Sequence, residues 1–348
     1  MPGMNIPLNM NILFRADAGE EIGSGHLMRC LGLAQYLRDE GASCSLLTTG
    51  KEEPAVARWR GEEINVQEHR TKCGSPEDAA ATLAAAAAIG AQWIVADGYD
   101  FDIAWQRVAK EGGAGLLCFD DLGGAPFAAD MVVNQNPGAQ DLSYDMEDDG
   151  RVLSGPDYVV LRRELRHLKR ETSSGAPRLL VTFGGYDLDN LALAAMGELA
   201  KLKEPFTATV ICSAGTNGLE EAETFAVSHP DHFRVTPPTD MAPLMAAADL
   251  ALCAAGTTAL ELASLGIPMV LVTVADNQEP GAAALDRTGC ARLAGAGASR
   301  LAAATEIIDA FLRDWTAREA MGKKGKTMVD GRGVERIAEA MQAQQRQK

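Results

Sequence analysis

Short apolar runs alternate along this chain with segments whose apolar positions recur every three or four residues. The runs at 11–14, 43–48, 93–96, 115–119 and 131–134 are continuous rather than alternating, as expected of strands buried on both faces of a parallel sheet. The helical pattern is strongest from His26 to Glu40, where Leu27, Leu31, Ala34 and Leu37 share one face and Gly41 supplies a stop. From Gln135 to Asp157 the pattern dissolves into polar loop. A charged stretch from Arg162 to Ser174 follows, and Ser173-Ser174-Gly175-Ala176-Pro177 closes it as a linker. The alternation then resumes. It predicts strands at 178–183, 206–212, 233–235, 250–253 and 269–274, and helices at 190–202, 241–248, 258–265 and 280–288. The last stretch, about 45 residues, is helical on the same test.

This alternation predicts an α/β protein of two Rossmann-like domains with a central cleft. The first domain is expected at 1–165 and the second, with the C-terminal helices, at 176–348. Ligands of such folds bind beyond the carboxyl ends of the strands, so residues there are the first candidates for chemistry.

Composition narrows the class. The 348 residues exceed the usual span of one core, and 47% are hydrophobic. Mean hydropathy is −0.07, and no run approaches the ~20 apolar residues of a spanning helix. No signal peptide is visible in residues 1–10, so a cytoplasmic protein without membrane insertion is expected. The net charge of −16 disfavours nucleic acid and anionic lipid as partners. It also means that any phosphate site has to be built locally, from backbone N–H groups and helix N-termini. The seven cysteines are odd in number, lack a C-x-x-C pair, and lie partly inside apolar runs, as reduced core residues do. None of the five histidines has a His or Cys at metal-ligand spacing, so neither a bound metal nor another cofactor is expected. His69, His167, His229 and His232 lie in polar contexts and receive no role.

Four segments at strand ends carry candidate chemistry. In the first, Gly23-Ser24-Gly25-His26 joins a strand to a helix. Gly23 and Gly25 allow positive φ and close approach of a ligand, Ser24 is a candidate N-cap, and the helix N-terminus favours a neutral His26. A neutral imidazole can act as a general base on water. By spacing alone the segment fits a plain strand-to-helix turn better; its position at a presumed cleft reverses that preference. The second segment contains Gly184-Gly185 followed by Asp187 and Asp189, where the glycines suit a phosphate or sugar and the aspartates suit a turn and helix cap. In the third, the N–H groups of Gly256, Thr257 and Thr258 are placed to cradle a diphosphate. Glu261, one turn on, is either solvent-facing or partnered by ribose hydroxyls. In the fourth, Asn277 and Gln278 offer amides to sugar or phosphate oxygens, or simply serve a turn. Asp97 and Tyr99, and the pair Asp120-Asp121, stand at two further strand ends.

In this order the segments resemble the hydrolases that release UDP from UDP-2,4-diacetamido-2,4,6-trideoxy-β-L-altrose in pseudaminic acid biosynthesis. The resemblance spans roughly residues 10–295, with the block Arg15 to Arg29 as its most specific part. More remotely, the chain is similar to the GT-B glycosyltransferase that adds N-acetylglucosamine to the peptidoglycan lipid precursor. The resemblance implies hydrolysis of a UDP-sugar at the anomeric carbon, inverting and without a metal, with His26 as catalytic base. It implies substrate-binding roles for Arg15, Asp17, Gly23, Gly25, Asp97, Tyr99, Asp121, Gly184, Gly185, Gly256, Thr257, Thr258, Glu261, Asn277 and Gln278. Tyr99 would line the sugar pocket, and Glu261 would bind ribose. The chain departs from the family at Gly123-Gly124-Ala125-Pro126-Phe127, at Ala255 and at Ala259, which bears on the identity of the sugar more than on the reaction. A glycosyltransferase, a hydrolysing UDP-sugar 2-epimerase and a non-catalytic nucleotide-sugar binder are the alternatives. The acidic chain with 5% aromatics shows no obvious membrane-docking patch, which favours hydrolysis.

Overall fold

A computed structural model describes residues 8–19, 23–50, 53–171, 175–184, 187, 189–213, 218–238 and 240–346, with Glu53 described in its backbone only. Gly185, one of the candidate ligand-binding positions, lies outside these residues, as does part of the presumed linker. The chain forms two compact units, one of residues 1–163 with 331–348 and the other of residues 164–330.

The first unit is built on a seven-stranded parallel sheet. Its strands are β1 (Asn11–Ala16), β2 (Ser43–Thr48), β3 (Asn65–Glu68), β4 (Trp93–Asp97), β5 (Gly115–Phe119), β7 (Met131–Asn134) and β9 (Arg151–Ser154), in the order β3-β2-β1-β4-β5-β7-β9. A separate two-stranded pair joins β6 (Pro126–Phe127) to β8 (Asp145–Met146). Helices α1 (Gly25–Asp39), α2 (Glu53–Gly61), α3 (Pro76–Ile89) and α4 (Ile103–Lys110) connect the strands. The five predicted runs all lie in this sheet. Strands β3 and β9 did not announce themselves, because their Asn-Val-Gln-Glu and Arg-Val-Leu-Ser sequences are at least half polar and sit at the sheet edges. The stretch read as polar loop, 135–157, thus contains a strand that pairs with β7 through Val132–Val152.

Local signals set the helices. Asp102 caps α4 by accepting from Trp105 N at 2.8 Å, and Ser75 caps α3 ahead of Pro76. Ser24 does stand at the N-cap of α1, but its side chain makes no capping hydrogen bond, contrary to expectation. Gly41 follows α1 with φ 94°, the left-handed geometry its role as a stop requires.

The short α5 (Arg163–Arg166) leads into the second unit. Its six-stranded parallel sheet comprises β10 (Arg178–Thr182), β11 (Thr207–Ile211), β12 (Phe233–Thr236), β13 (Leu250–Ala254), β14 (Met269–Thr273) and β15 (Arg292–Ala296), ordered β12-β11-β10-β13-β14-β15. Helices α6 (Leu191–Leu199), α7 (Leu219–Ser228), α8 (Met241–Ala247), α9 (Thr257–Leu265), α10 (Glu279–Thr288), α11 (Leu301–Arg313) and α12 (Trp315–Met328) surround it. Gly322 of α12 packs where a Cβ would overlap the carbonyl of Gly266, so α12 closes directly onto the end of α9.

The final helix, α13 (Gly333–Gln345), corrects the expected division at 176–348. It belongs to the first unit, where Val334, Ile337 and Met341 enter the core beside Leu27, Leu31 and Val160. Each such side chain contributes about 1.5–3 kcal/mol on burial, enough to fix the helix there. Gly333 allows the entry, because a Cβ would collide with the backbone of Tyr158 and Val159. Sequence periodicity reports that a helix is amphipathic, not which core receives its apolar face.

Candidate active site

In each sheet the strand order reverses between two central strands, and the candidate segments flank that point. In the first unit it lies between β1 and β4, paired in register through Ala16–Asp97. Ligands of open α/β sheets bind at this position.

After β1, Gly19 and Gly23 exchange backbone hydrogen bonds of 3.1 and 2.7 Å. Gly23 uses the expected positive φ, at 70°, whereas Gly25 does not and simply opens α1. The turn delivers His26 to the first turn of α1, where it is 7% exposed. Its Nδ1 lies 2.6 Å from Oδ1 of Asp97, at the end of β4. An ionised Asp97 can only accept, so Nδ1 carries the proton and Nε2 is the basic nitrogen.

Asp97 is 1% exposed, with its oxygens taken up within the protein. Arg29 donates to it twice at 2.8 Å, from Nε to Oδ2 and from Nη2 to Oδ1. This places Asp97 on the Nδ1 side of the His26 ring. Arg29 also reaches Asp121, through Nη1 to Oδ1 at 2.8 Å and Nη2 to Oδ2 at 3.1 Å. Its guanidinium lies over the Phe119 ring, 4.8 Å from the centroid. Asp121 accepts further bonds from Asn136 Nδ2 at 2.8 Å and the Tyr99 hydroxyl at 3.2 Å. The Tyr99 ring meets His26 edge-on at 4.8 Å, and the residue is 49% exposed. Neighbouring Asp120 serves the turn, accepting from Gly123 N at 2.7 Å.

The electrostatics follow from this packing. Burial disfavours the imidazolium of His26, but the charge and hydrogen bond of Asp97 outweigh it and raise the pKa above its ordinary value; Arg29 opposes and Asp121 assists. The expectation of a depressed His26 is therefore reversed: a carboxylate in direct contact outweighs a helix dipole. Burial alone would raise the Asp97 and Asp121 carboxyls, yet Arg29 holds both below the usual range.

Sequence reasoning gives Arg29 no role. The signal available was its spacing: position i+3 from His26 puts both on one helix face, and a charged side chain there needs partners. Arg15 and Asp17, expected to bind substrate, form a second buried network beside the first. Arg15 is 0% exposed; Nη2 contacts Asp17 at 2.8 Å and Nε contacts Asp78 at 2.9 Å. Its Nη1 has no hydrogen-bond partner among the described residues. Asp17 also accepts from Thr48 Oγ1 and Thr49 N. Although burial pushes its carboxyl up, Arg15 and Thr49 bring it down to about 2.

In the second unit the reversal lies between β10 and β13. Gly184 follows β10 with φ 100° and is exposed. Asp187 caps α6 by accepting from Leu191 N at 2.8 Å and Ala192 N at 2.7 Å, the turn-and-cap role expected for it. Gly256 precedes α9, and Thr257 and Thr258 form its first turn, with no side-chain cap on the helix N-terminus. Glu261 is 8% exposed, which removes the solvent-facing alternative. Asn277 is exposed, whereas Gln278 uses its side-chain oxygen to accept from Val274 N at 3.0 Å. Among the described residues, no group of three or more His, Cys, Asp or Glu is set to hold a metal ion, and no helix is long and apolar enough to cross a membrane.

Residues 178–324 match the Glycosyltransferase family 28 C-terminal domain, a segment inside the second unit. The chain is 26% identical over 275 residues to an uncharacterized protein of Methanocaldococcus jannaschii, covering 76% of this chain but 55% of that one, about half its length. It is 24% identical over 353 residues to the spore coat polysaccharide biosynthesis protein SpsG of Bacillus subtilis, covering 96% and 98% of the two chains. Identity is 26% over 223 residues with the UDP-2,4-diacetamido-2,4,6-trideoxy-beta-L-altropyranose hydrolase of Campylobacter jejuni, covering 63% and 76%. In structure, MurG of Acinetobacter baumannii matches with a TM-score of 0.68 at 18% identity, over 96% of this chain and 99% of that one. The fold is GT-B, with the expected pairing of two parallel α/β units.

Proposed function

We propose that this GT-B-fold chain hydrolyses a UDP-linked 2,4-diacetamido-2,4,6-trideoxy sugar at its anomeric carbon. The observation that carries the reading is the His26–Asp97 contact of 2.6 Å at the switch point of the first sheet. It supplies an oriented base with Nε2 as acceptor, beside an exposed tyrosine suited to a sugar face. Similarity to the Campylobacter jejuni altropyranose hydrolase supports the substrate class. The match to a glycosyltransferase C-terminal domain supports chemistry at a glycosyl group, and the name of the Campylobacter jejuni hydrolase supports UDP as the leaving group.

In the proposed reaction, His26 Nε2 takes a proton from water. The water oxygen bonds to the anomeric carbon from the face opposite UDP, and the bond to the UDP oxygen breaks with its electron pair leaving on UDP. Configuration inverts. The second unit supplies the nucleotide determinants: N–H groups from Gly256 to Thr258 meet the diphosphate with the dipole of α9 behind them, and Glu261 meets the ribose. Gly184 and Asn277 are further substrate contacts of the second unit, and Tyr99 is one of the first unit. Gly23 and Gly25 keep the approach to His26 open. Arg15 and Asp17 tie the end of β1 to Asp78, Thr48 and Thr49. UDP is a good leaving group, so neither a strong general acid nor a metal has a part in the scheme.

Incubating the protein in EDTA with a panel of UDP-diacetamido-trideoxyhexoses, without any acceptor, tests this reading. Stoichiometric UDP and free sugar support it; release that requires an added acceptor alcohol favours transfer instead. Glycosyl transfer is the second reading because the same residues 178–324 match a transferase domain.

A further inference from the structure

Two acidic groups and one guanidinium stand behind His26, and their arrangement goes beyond what a general base needs. A single carboxylate at Nδ1 suffices to fix a tautomer. Here the Asp97 carboxylate is itself held by two bonds that Arg29 donates, and Arg29 is held in turn by two bonds that it donates to Asp121. Asp121 returns to the imidazole through Tyr99, whose hydroxyl it holds at 3.2 Å and whose ring stands at 84° to that of His26 with centroids 4.8 Å apart. The chain is therefore closed, running His26–Asp97–Arg29–Asp121–Tyr99–His26.

We propose that Arg29 and Asp121 are a positioning pair for His26, Arg29 aiming the carboxylate that receives the imidazole N–H and Asp121 offsetting the charge that Arg29 brings beside the ring. Arg29 Nη2 lies 3.4 Å from His26 Nδ1, so an unbalanced guanidinium would repel the imidazolium. Among the described residues, the charged and titratable groups facing His26 are Arg29 from α1, Asp97 from β4, and Tyr99 and Asp121 from the loops after β4 and β5. The Cys30 thiol touches Asp97 at 3.9 Å, and burial holds it neutral. Removing Asp121's charge therefore lowers the proton affinity of His26, and removing Arg29's charge raises it. The reading concerns the poise of the base and rests on the proposed use of His26, although its test does not require substrate.

The titration of His26 is to be followed by NMR of the ring Cε1–H in the substrate-free protein, with the signal assigned by its loss in His26→Ala. Asp121→Asn, nearly isosteric, is expected to lower the midpoint by roughly one pH unit. Arg29→Gln is expected to raise it, and the double variant to fall between the two. An unmoved midpoint in Asp121→Asn, or shifts of the same sign in both single variants, overturns the pairing. Asp121→Asn is decisive alone should Arg29→Gln fail to fold. The acid limb of UDP release should move with the midpoint in each variant. Opposite NMR shifts in a protein that releases no UDP from any sugar would leave the positioning pair intact and remove the hydrolase reading instead.

Discussion

The imidazole of His26 and the carboxylate of Asp97 meet at 2.6 Å although 71 residues separate them, because β1 and β4 are neighbours in register and both end at the switch point. That contact assigns the proton on the ring and makes Nε2 the base. It also sets the pH at which the base is available.

The first prediction concerns Asp97→Asn. In the native protein Asp97 raises the His26 pKa, so the deprotonated base appears only as pH rises through a midpoint above the usual value of about 6.5. Asparagine removes that charge and also permits the wrong tautomer. The acid limb of the rate profile should move to lower pH while the plateau falls, by roughly 100-fold or more. A plateau near the native level would show that Asp97 does not orient the base.

Stability should respond to acid through the buried carboxylates. The Asp17 carboxyl is held at about 2 against an ordinary value of 3.8, so its contribution is complete above the unfolded value and is lost as pH falls through the folded one. The linked stabilisation is roughly 2 kcal/mol, fading from about pH 4 downward. His26 works in the opposite sense: its pKa is raised, so its contribution is full below the unfolded value and fades as pH rises through the folded one. Thermal melts between pH 5 and 3 should show a shallower decline in Asp17→Asn than in the native chain, from a lower starting point. Parallel declines would remove Asp17 from the account.

Nucleotide binding should be separable from the base. Glu261→Gln should raise KM for the UDP-sugar about tenfold and leave kcat within a few-fold, as expected for a contact made equally in ground and transition states. A loss confined to kcat would contradict a ribose role.

Tyr99→Phe tests the link from Asp121 to the sugar face. It removes one hydroxyl donor from an exposed ring without opening the core. Little change in melting temperature is expected, with a KM increase of a few-fold, worth about 1 kcal/mol. Unfolding of this variant would mean that the ring is structural.

Much of the fold was legible because central parallel strands are buried on both faces and so read as unbroken apolar runs, as in Trp93-Ile-Val-Ala and Met269-Val-Leu-Val. Edge strands such as β3 and β9 face solvent along one side, and their mixed sequences resemble loops. The placement of α13 depends on Gly333 fitting against the backbone of Tyr158 and Val159, a long-range coincidence of shape. The same holds at the site. His26 and Asp97 could each be placed at a strand end from local pattern. Their pairing, and the capture of Arg29 by Asp97 and Asp121, depends on which strands are neighbours. Local rules about helix ends therefore gave the wrong sign for the His26 pKa and a capping role Ser24 does not perform.

The most direct test is to follow UDP-2,4-diacetamido-2,4,6-trideoxyhexose by NMR during incubation with the native chain and with His26→Ala, in EDTA and without acceptor. The native chain should release UDP and a free sugar whose first-formed anomer is inverted, and His26→Ala should slow this by ~100-fold or more. A near-native rate in His26→Ala, or a first-formed anomer of retained configuration, would contradict His26 as the base that activates water.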